Sequence, residues 1–180
     1  MATPTALPSS FTAGDILTAA NMNLLRGAFR ILQVVSDTKT DTFTTTSTSF
    51  VDITGLSVSI TPTSNTSKVL VFYAVQALGL NGINIGALNL VRDSTNILVA
   101  DAAGSRIQAS NIIGAAVADN PGTQTNVYLD SPATTSATTY KIQIRTAGAG
   151  TIYVNRTITD TNSGDFARGT STIVVCEVSA

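Results

Sequence analysis

The chain has 180 residues, the size of one domain or of one domain with a short appendage. Charged residues make up only 12%, and a net charge of -1 gives no electrostatic footprint for nucleic acid. Because histidine is absent, His-assisted nucleophiles and imidazole zinc sites are excluded. This composition favours a structural or binding protein over an enzyme, and we expect no catalytic residue, cofactor or bound metal.

The N-terminal residues predict an arm followed by a short helix. Residues 1–9 contain two prolines and lack the charged and apolar regions of a signal peptide. Thr18 is a plausible N-cap for the helix. Spacings of three, four and three residues then place four apolar side chains on one seam: Met22, Leu25, Phe29 and Leu32. A helix this short is marginal alone, so it caps the domain's own core or docks elsewhere, and both alternatives remain open.

The rest of the chain has the pattern of β-strands and turns. Residues 56–60 alternate between apolar and polar side chains, and residues 68–75 form a continuous apolar run that predicts a strand buried on both faces. Asn81-Gly82 is a hairpin turn signal, and Gly148-Ala149-Gly150 is expected to join two strands as a hairpin. The segment 92–96 predicts a further polar turn.

Strands are also predicted near residues 83–90, 97–99, 105–113, 125–130, 139–146, 151–154 and 170–178. Eight to ten strands at such short intervals indicate a mainly β fold, a jelly-roll-like antiparallel β-sandwich preceded by the N-terminal arm and helix. The expected domains are residues 1–33, for attachment or oligomerisation, and residues 34–180, the sandwich. Residues 38–49, rich in Ser and Thr, fit an edge strand better than a low-complexity linker.

Two features of the apolar segments have competing interpretations. Residues 69–91 carry no charge, but Gln76, Asn81, Asn84 and Asn89 interrupt the run, so two buried strands explain it better than a membrane span. Cys176, the single cysteine, is expected to be a small hydrophobe within a strand. A reactive thiol would need a basic or helix-terminal setting, which the local sequence lacks.

Carboxylates are the remaining candidates for chemistry. Asp52, Asp93 and Asp119 occur in turn-like contexts, and the sequence alone does not show whether any two carboxylates flank one cleft. Residues 160–165 resemble the start of a calcium loop. The terminal glutamate of such a loop is replaced by Ser171, so a turn-rich loop is the better interpretation. The loops at 81–82, 119–122 and 162–164 are candidate receptor-binding loops or ordinary turns.

Two stretches resemble proteins of bacteriophage particles. Residues 11–23, FTAGDILTAANMN, resemble an N-terminal attachment segment common in bacteriophage tail-fibre and minor virion proteins. The remainder resembles the β-sandwich domains of small phage fibre and virion structural proteins, including those of cyanophages. The matching segments are residues 56–62, 67–69, 91–94, 130–132, 139–141, 154–155 and 171–177.

This resemblance implies a non-enzymatic virion protein that is assembled in the host cytoplasm and is typically trimeric. Its implied partners are other tail, baseplate or capsid proteins and a host-surface glycan or protein, with neither nucleic acid binding nor membrane insertion. No long shaft separates the attachment segment from the sandwich, so a capsid cement or decoration role remains an alternative. The candidate anchoring and oligomerisation residues are Phe11, Leu17, Met22, Leu25, Phe29 and Leu32.

Overall fold

The computed structural model describes residues 31–179 apart from 84 and 115–120, together with Ile16, Thr18 and Ala19. Most of the predicted arm and helix therefore lies outside the described residues. Within them the chain forms strands β1 Ile31–Lys39, β2 Phe43–Thr45, β3 Val51–Ile60, β4 Lys68–Asn81, β5 Ile85–Arg92, β6 Thr95–Ile97, β7 Asn111–Gly114, β8 Gly122–Asp130, β9 Thr138–Thr146, β10 Thr151–Val154 and β11 Ser171–Val178.

The strands form two antiparallel sheets. The first sheet has the order β1-β11-β4-β10-β2, with β8 pairing with β4 as well. The second has the order β3-β9-β5-β6, and β7 also pairs with β5. The mainly β, two-sheet antiparallel architecture predicted from the sequence is confirmed. No helix among the described residues is long and apolar enough to cross a membrane.

One core lies between the inward faces of the two sheets. Strand β9 shows the period of two most clearly, since its residues alternate between buried and half-buried along its whole length. Its inward side chains belong to the same buried cluster as those of β4 and β11 in the opposite sheet. The fully buried members of this core include Val69, Val71, Val75, Leu88, Leu90, Tyr140, Ile142, Ile144, Ile173 and Val175.

Two of the predicted hairpins are instead connections between the sheets. Strand β4, before Asn81-Gly82, belongs to the first sheet, whereas the following β5 belongs to the second. Gly148-Ala149-Gly150 likewise leads from β9 in the second sheet to β10 in the first. The glycines still have a conformational role, since Gly82 has a φ of 74°. The turn chemistry was recognised correctly, but the pairing expected of its flanking strands was wrong.

Three other turn and edge predictions have mixed outcomes. The turn at 92–96 joins the paired strands β5 and β6, with Asp93 at a φ of 53°. Residues 43–45 form β2 at the end of the first sheet, which confirms an edge strand within 38–49. Asp52 lies within strand β3, so its assignment to a turn was wrong, and Asp119 lies outside the described residues.

Candidate functional site

The two faces of strand β4 have different environments. Val69, Val71 and Val75 point into the core and are fully buried. Because side chains alternate along a strand, Leu70 and Phe72 point to the other side of the sheet. Phe72 is 39% exposed there. The prediction that this apolar run is buried on both faces was wrong, because its outward half lies on the surface of the sandwich.

Strand register places this outward half in a larger surface. Twelve outward residues of β8, β4, β11 and β1 form three successive rows across the first sheet, and none of these twelve is charged; the row beyond Leu70 contains Lys68. We call this surface the neutral face. Its rows are Leu129–Leu70–Cys176–Val34, Val127–Phe72–Val174–Ser36 and Thr125–Ala74–Thr172–Thr38.

Apolar side chains are exposed at both margins of the neutral face. Val127 and Leu129 on β8 are 55% and 54% exposed, and Val34 on β1 is 57% exposed. Cys176 lies between them and is buried. Burial raises the pKa of its thiol, so the protonated form is favoured. The interpretation of Cys176 as a small hydrophobe within a strand is confirmed.

The outer face of the second sheet is polar and charged. Lys141 on β9 donates a 2.8 Å hydrogen bond to Oδ2 of Asp52 on β3, and Gln143 donates one of 2.7 Å to Oδ1. Burial raises the pKa of Asp52, but these two hydrogen bonds outweigh it and lower the pKa overall. Ser59 and Thr139 add a 2.7 Å hydroxyl contact. An outer sheet face is ordinarily solvated in this way, so the neutral face is the exception.

One group of ionisable side chains joins the two sheets. Arg92 on β5 donates from Nη1 to both carboxylate oxygens of Asp130 on β8, at 2.8 and 2.7 Å. Asp130 is 3% exposed and also accepts a hydrogen bond from Tyr140. Burial, and next the hydrogen bond to Asp130, raise the pKa of Tyr140, which keeps its hydroxyl a donor. The carboxylate of Asp130 therefore connects the two sheets through these hydrogen bonds.

The single glutamate also has a structural position. Glu177 on β11 is fully buried and accepts hydrogen bonds from Gln33 Nε2 at 2.6 Å and from the backbone N–H of Thr63 at 2.7 Å. Burial raises its pKa, but the hydrogen bonds from Gln33, Ser67 and Thr63 lower it overall, to about 2. The ionised side chain therefore connects β1 and the turn at 61–67 to β11.

The loop that resembles the start of a calcium site has arginine partners. Arg168 donates to both oxygens of Asp160 at 2.8 and 2.6 Å, and Arg156 lies 3.5 Å from Oδ2. These two guanidinium groups neutralise the negative charge of Asp160 that a bound cation would require. Among the described residues no group of three or more Cys, Asp or Glu is arranged to hold a metal ion.

The predicted anchoring residues are not gathered into one described site. Phe11, Leu17, Met22, Leu25 and Phe29 lie outside the described residues. Leu32 is described, and it lies in strand β1, where it is 44% exposed. Its prediction as the last member of a helical seam was wrong, because β1 already begins pairing with β11 at Ile31. The sequence prediction did not identify the neutral face, although the apolar run at 68–75 was its signal.

Fold and site together define a two-sheet antiparallel β-sandwich with one neutral outer face. No protein-family model and no curated protein matches the chain. Among solved structures, the chain is similar to a chain in the structure of infectious bursal disease virus, Gx strain, with 19% identity and a TM-score of 0.37. It is also similar to a chain in the VP2 subviral particle of that virus, with 18% identity and a TM-score of 0.36. Each match covers 81% of this chain, which spans 40% and 39% of those chains. These TM-scores are too low to support inferences about this chain.

Proposed function

We propose that the chain is a non-enzymatic structural protein of a bacteriophage particle. In this proposal it is a short trimeric appendage that is attached by its N-terminal segment and displays the sandwich for adhesion to the host surface. The observation that carries the proposal is the neutral face, because exposed apolar patches of this kind mark protein contact sites. Such a surface is expected in a protein that works by packing within an assembly.

The ionisable groups of the described residues support a structural role. Asp130, Asp160 and Glu177 each have hydrogen-bond donors that account for their charge. A carboxylate that acts in catalysis needs access to a substrate and a pKa suited to proton transfer. Residues 11–23 resemble a phage attachment segment. This resemblance supports a bacteriophage particle as the assembly and the N-terminal segment as the part of the chain that attaches to it.

A capsid cement or decoration protein is the second candidate. Strand β1 begins at Ile31, so only seven residues separate the attachment-like segment 11–23 from the sandwich. A spacer this short reaches no more than about 25 Å when fully extended. A protein held so close to the particle is suited to bridging neighbouring subunits as well as to display.

Deletion of residues 1–30 tests the proposed attachment. All the described strands lie between Ile31 and Val178, so we expect the shortened chain to fold into the same sandwich. Its circular dichroism spectrum should match that of the full chain. Purified particles assembled with the shortened chain should lack it, whereas particles assembled with the full chain retain it. Incorporation of the shortened chain at the full-length level would contradict attachment by the N-terminus.

Location on the particle separates the two candidates. Gold-labelled copies of the full chain at the tail or at a single vertex would support the appendage. Labels distributed evenly over the shell, with heads that burst when the protein is omitted, would support cement. Release of reducing sugar from host envelope glycans would contradict the non-enzymatic role in either position.

A further inference from the structure

We infer that the neutral face is the surface through which copies of this chain contact one another. The inference rests on the proposed function, since it assigns a residue-level interface to the proposed homotrimer. It begins from the register that aligns Leu129, Leu70, Cys176 and Val34 in one row across four strands. Three such rows place eight apolar and four hydroxyl side chains on one surface of the sheet.

The chemistry of the face selects among classes of partner. Nucleic acid and anionic membrane surfaces are bound by Lys and Arg, and the three rows contain neither. Sugar and base recognition relies on stacking platforms, but Phe72 is the single aromatic side chain in the three rows, and its neighbours are aliphatic. The complementary surface must therefore be apolar and uncharged. Each further copy of the chain carries such a surface.

Neutrality also makes the face compatible with itself. In a closed threefold ring one side of the face meets the other side of the neighbouring copy's face, so every charge on it would need an opposite charge elsewhere on the same face. The neutral face avoids this requirement because it has no charge. On the second sheet, Lys141 and Asp52 already form an ion pair, and that face would have to desolvate both charges on contact.

The dimensions suit the core of a contact between copies. Four strands about 4.8 Å apart and three rows about 6.7 Å apart cover roughly 400 Å² of sheet. A standard interface buries about 800 Å² on each partner, with an apolar core and a polar rim. Ile31 and Leu32 extend the apolar area along β1, where they are 56% and 44% exposed, and Lys68 on β4, aligned with Val178 in the row of Ile31, gives that margin a charge. The hydroxyl row of Thr125, Thr172 and Thr38 supplies one polar margin.

A change in charge on the face tests the contact. Val127→Lys introduces a positive charge at an exposed position, and Ser59→Lys introduces the same charge on the outer face of the second sheet. We expect light scattering to give the full-length wild type and Ser59→Lys a mass three times that of one chain. The Val127→Lys variant should have an unchanged circular dichroism spectrum. Its mass by light scattering should be threefold lower than that of the wild type, the mass of one chain.

Cysteine cross-linking gives a second test that does not require a disruptive substitution. Ser36 on the neutral face and Ser59 on the second sheet are both exposed strand serines, so Ser36→Cys and Ser59→Cys form a matched pair. In a Cys176→Ala background, we expect a bifunctional thiol reagent to link chains carrying Ser36→Cys. Chains carrying Ser59→Cys should remain single on a denaturing gel. Equal linking of both variants would overturn the inference.

Other occupants of the face give different results. A wild-type mass of one chain, with association appearing only after residues 1–30 are removed, would show that the chain's own N-terminal segment covers the face and would overturn the inference. A monomeric wild type together with loss of Val127→Lys from particles would assign the face to another particle protein. That outcome overturns contact between copies but supports the proposed function. A wild-type trimer that is absent from particles would support contact between copies and contradict the proposed function.

Discussion

The hydroxyl of Tyr140 on β9 donates a 2.7 Å hydrogen bond to Oδ2 of Asp130 on β8, and this bond crosses from the second sheet to the first. Tyr140 is fully buried, and Arg92 completes the group. We expect Tyr140→Phe to lower the free energy of unfolding by about 1.5–3 kcal/mol, because the lost bond is to a charged acceptor. Asp130→Ala should cost more, about 3–5 kcal/mol, since it leaves the Arg92 charge without its partner.

Urea unfolding of the two variants and the wild type measures these differences. A value for Tyr140→Phe within about 0.5 kcal/mol of the wild type would contradict a contribution of this bond, since surface changes commonly have effects of that size.

Glu177 makes the stability of the sandwich depend on acid pH. Its pKa of about 2 in the folded chain lies below its ordinary value of 4.5, so the unfolded chain takes up the proton first as the pH falls. The stabilisation is complete above pH 4.5 and is lost progressively down to about pH 2, by up to about 3 kcal/mol. Glu177→Gln should be less stable at pH 7 and should show a shallower fall over this range.

Chemical denaturation at several pH values between 6 and 2 tests this assignment. Parallel curves for wild type and Glu177→Gln would show that the acid sensitivity comes from other carboxylates, such as Asp52, whose pKa is also lowered.

Asn155 combines an unusual backbone conformation with three hydrogen bonds made by its buried side chain. Its φ is 62°, its Nδ2 donates to the backbone oxygens of Lys39 and Asp41 at 3.0 and 2.9 Å, and its Oδ1 accepts from Ser171 at 2.6 Å. Asn155→Ala removes the bonds and also replaces Asn, whose short polar side chain tolerates the left-handed region, with a residue that does not, at an added cost of up to about 1–2 kcal/mol. Asn155→Gly removes the same bonds but tolerates the conformation.

We therefore expect both Asn155 variants to be destabilised in thermal unfolding, with Asn155→Gly melting at the higher temperature. The reverse order would mean that backbone conformation at this position contributes little.

Gly150 lies where the two connections between the sheets meet. A Cβ at this position would be 2.7 Å from the carbonyl oxygen of Asn81 and in steric conflict with Ile83, whereas one at Gly148 would meet no atom within 4 Å. Gly150→Ala should therefore lower the free energy of unfolding by about 1–3 kcal/mol, the usual cost of overpacking. Gly148→Ala is its matched control and should be close to neutral; similar losses in both would indicate a general need for glycine in this loop.

Local pattern was sufficient to predict most strands. The alternation of residues 56–60 and the apolar run at 68–75 predicted parts of β3 and β4, because the period of two follows directly from strand geometry. The pairing of strands could not be predicted from local pattern in the same way. A glycine turn such as Asn81-Gly82 reverses the chain, but whether the next strand joins the same sheet depends on distant residues.

The neutral face was missed for a related reason. A continuous apolar run predicts that both faces of a strand are buried, but it does not say whether the chain itself or another molecule covers the second face. The role of Asp130 was equally hidden, since Arg92 and Tyr140 lie 38 and 10 residues away in the chain. Contacts of this kind become visible only after the sheets are assembled.

The position of β11 between β1 and β4 has a consequence for the order of events during synthesis. Lys39 at the end of β1 pairs with Ser171 in β11, and β11 also pairs with β4. The first described strand therefore joins the sheet only after the last strand has been synthesised. Pairing over such a distance in sequence makes folding slow. The rows of the neutral face also remain incomplete until β11 is inserted. A partly synthesised chain therefore lacks the complete neutral face, so the proposed contact between copies through this face follows the synthesis of β11.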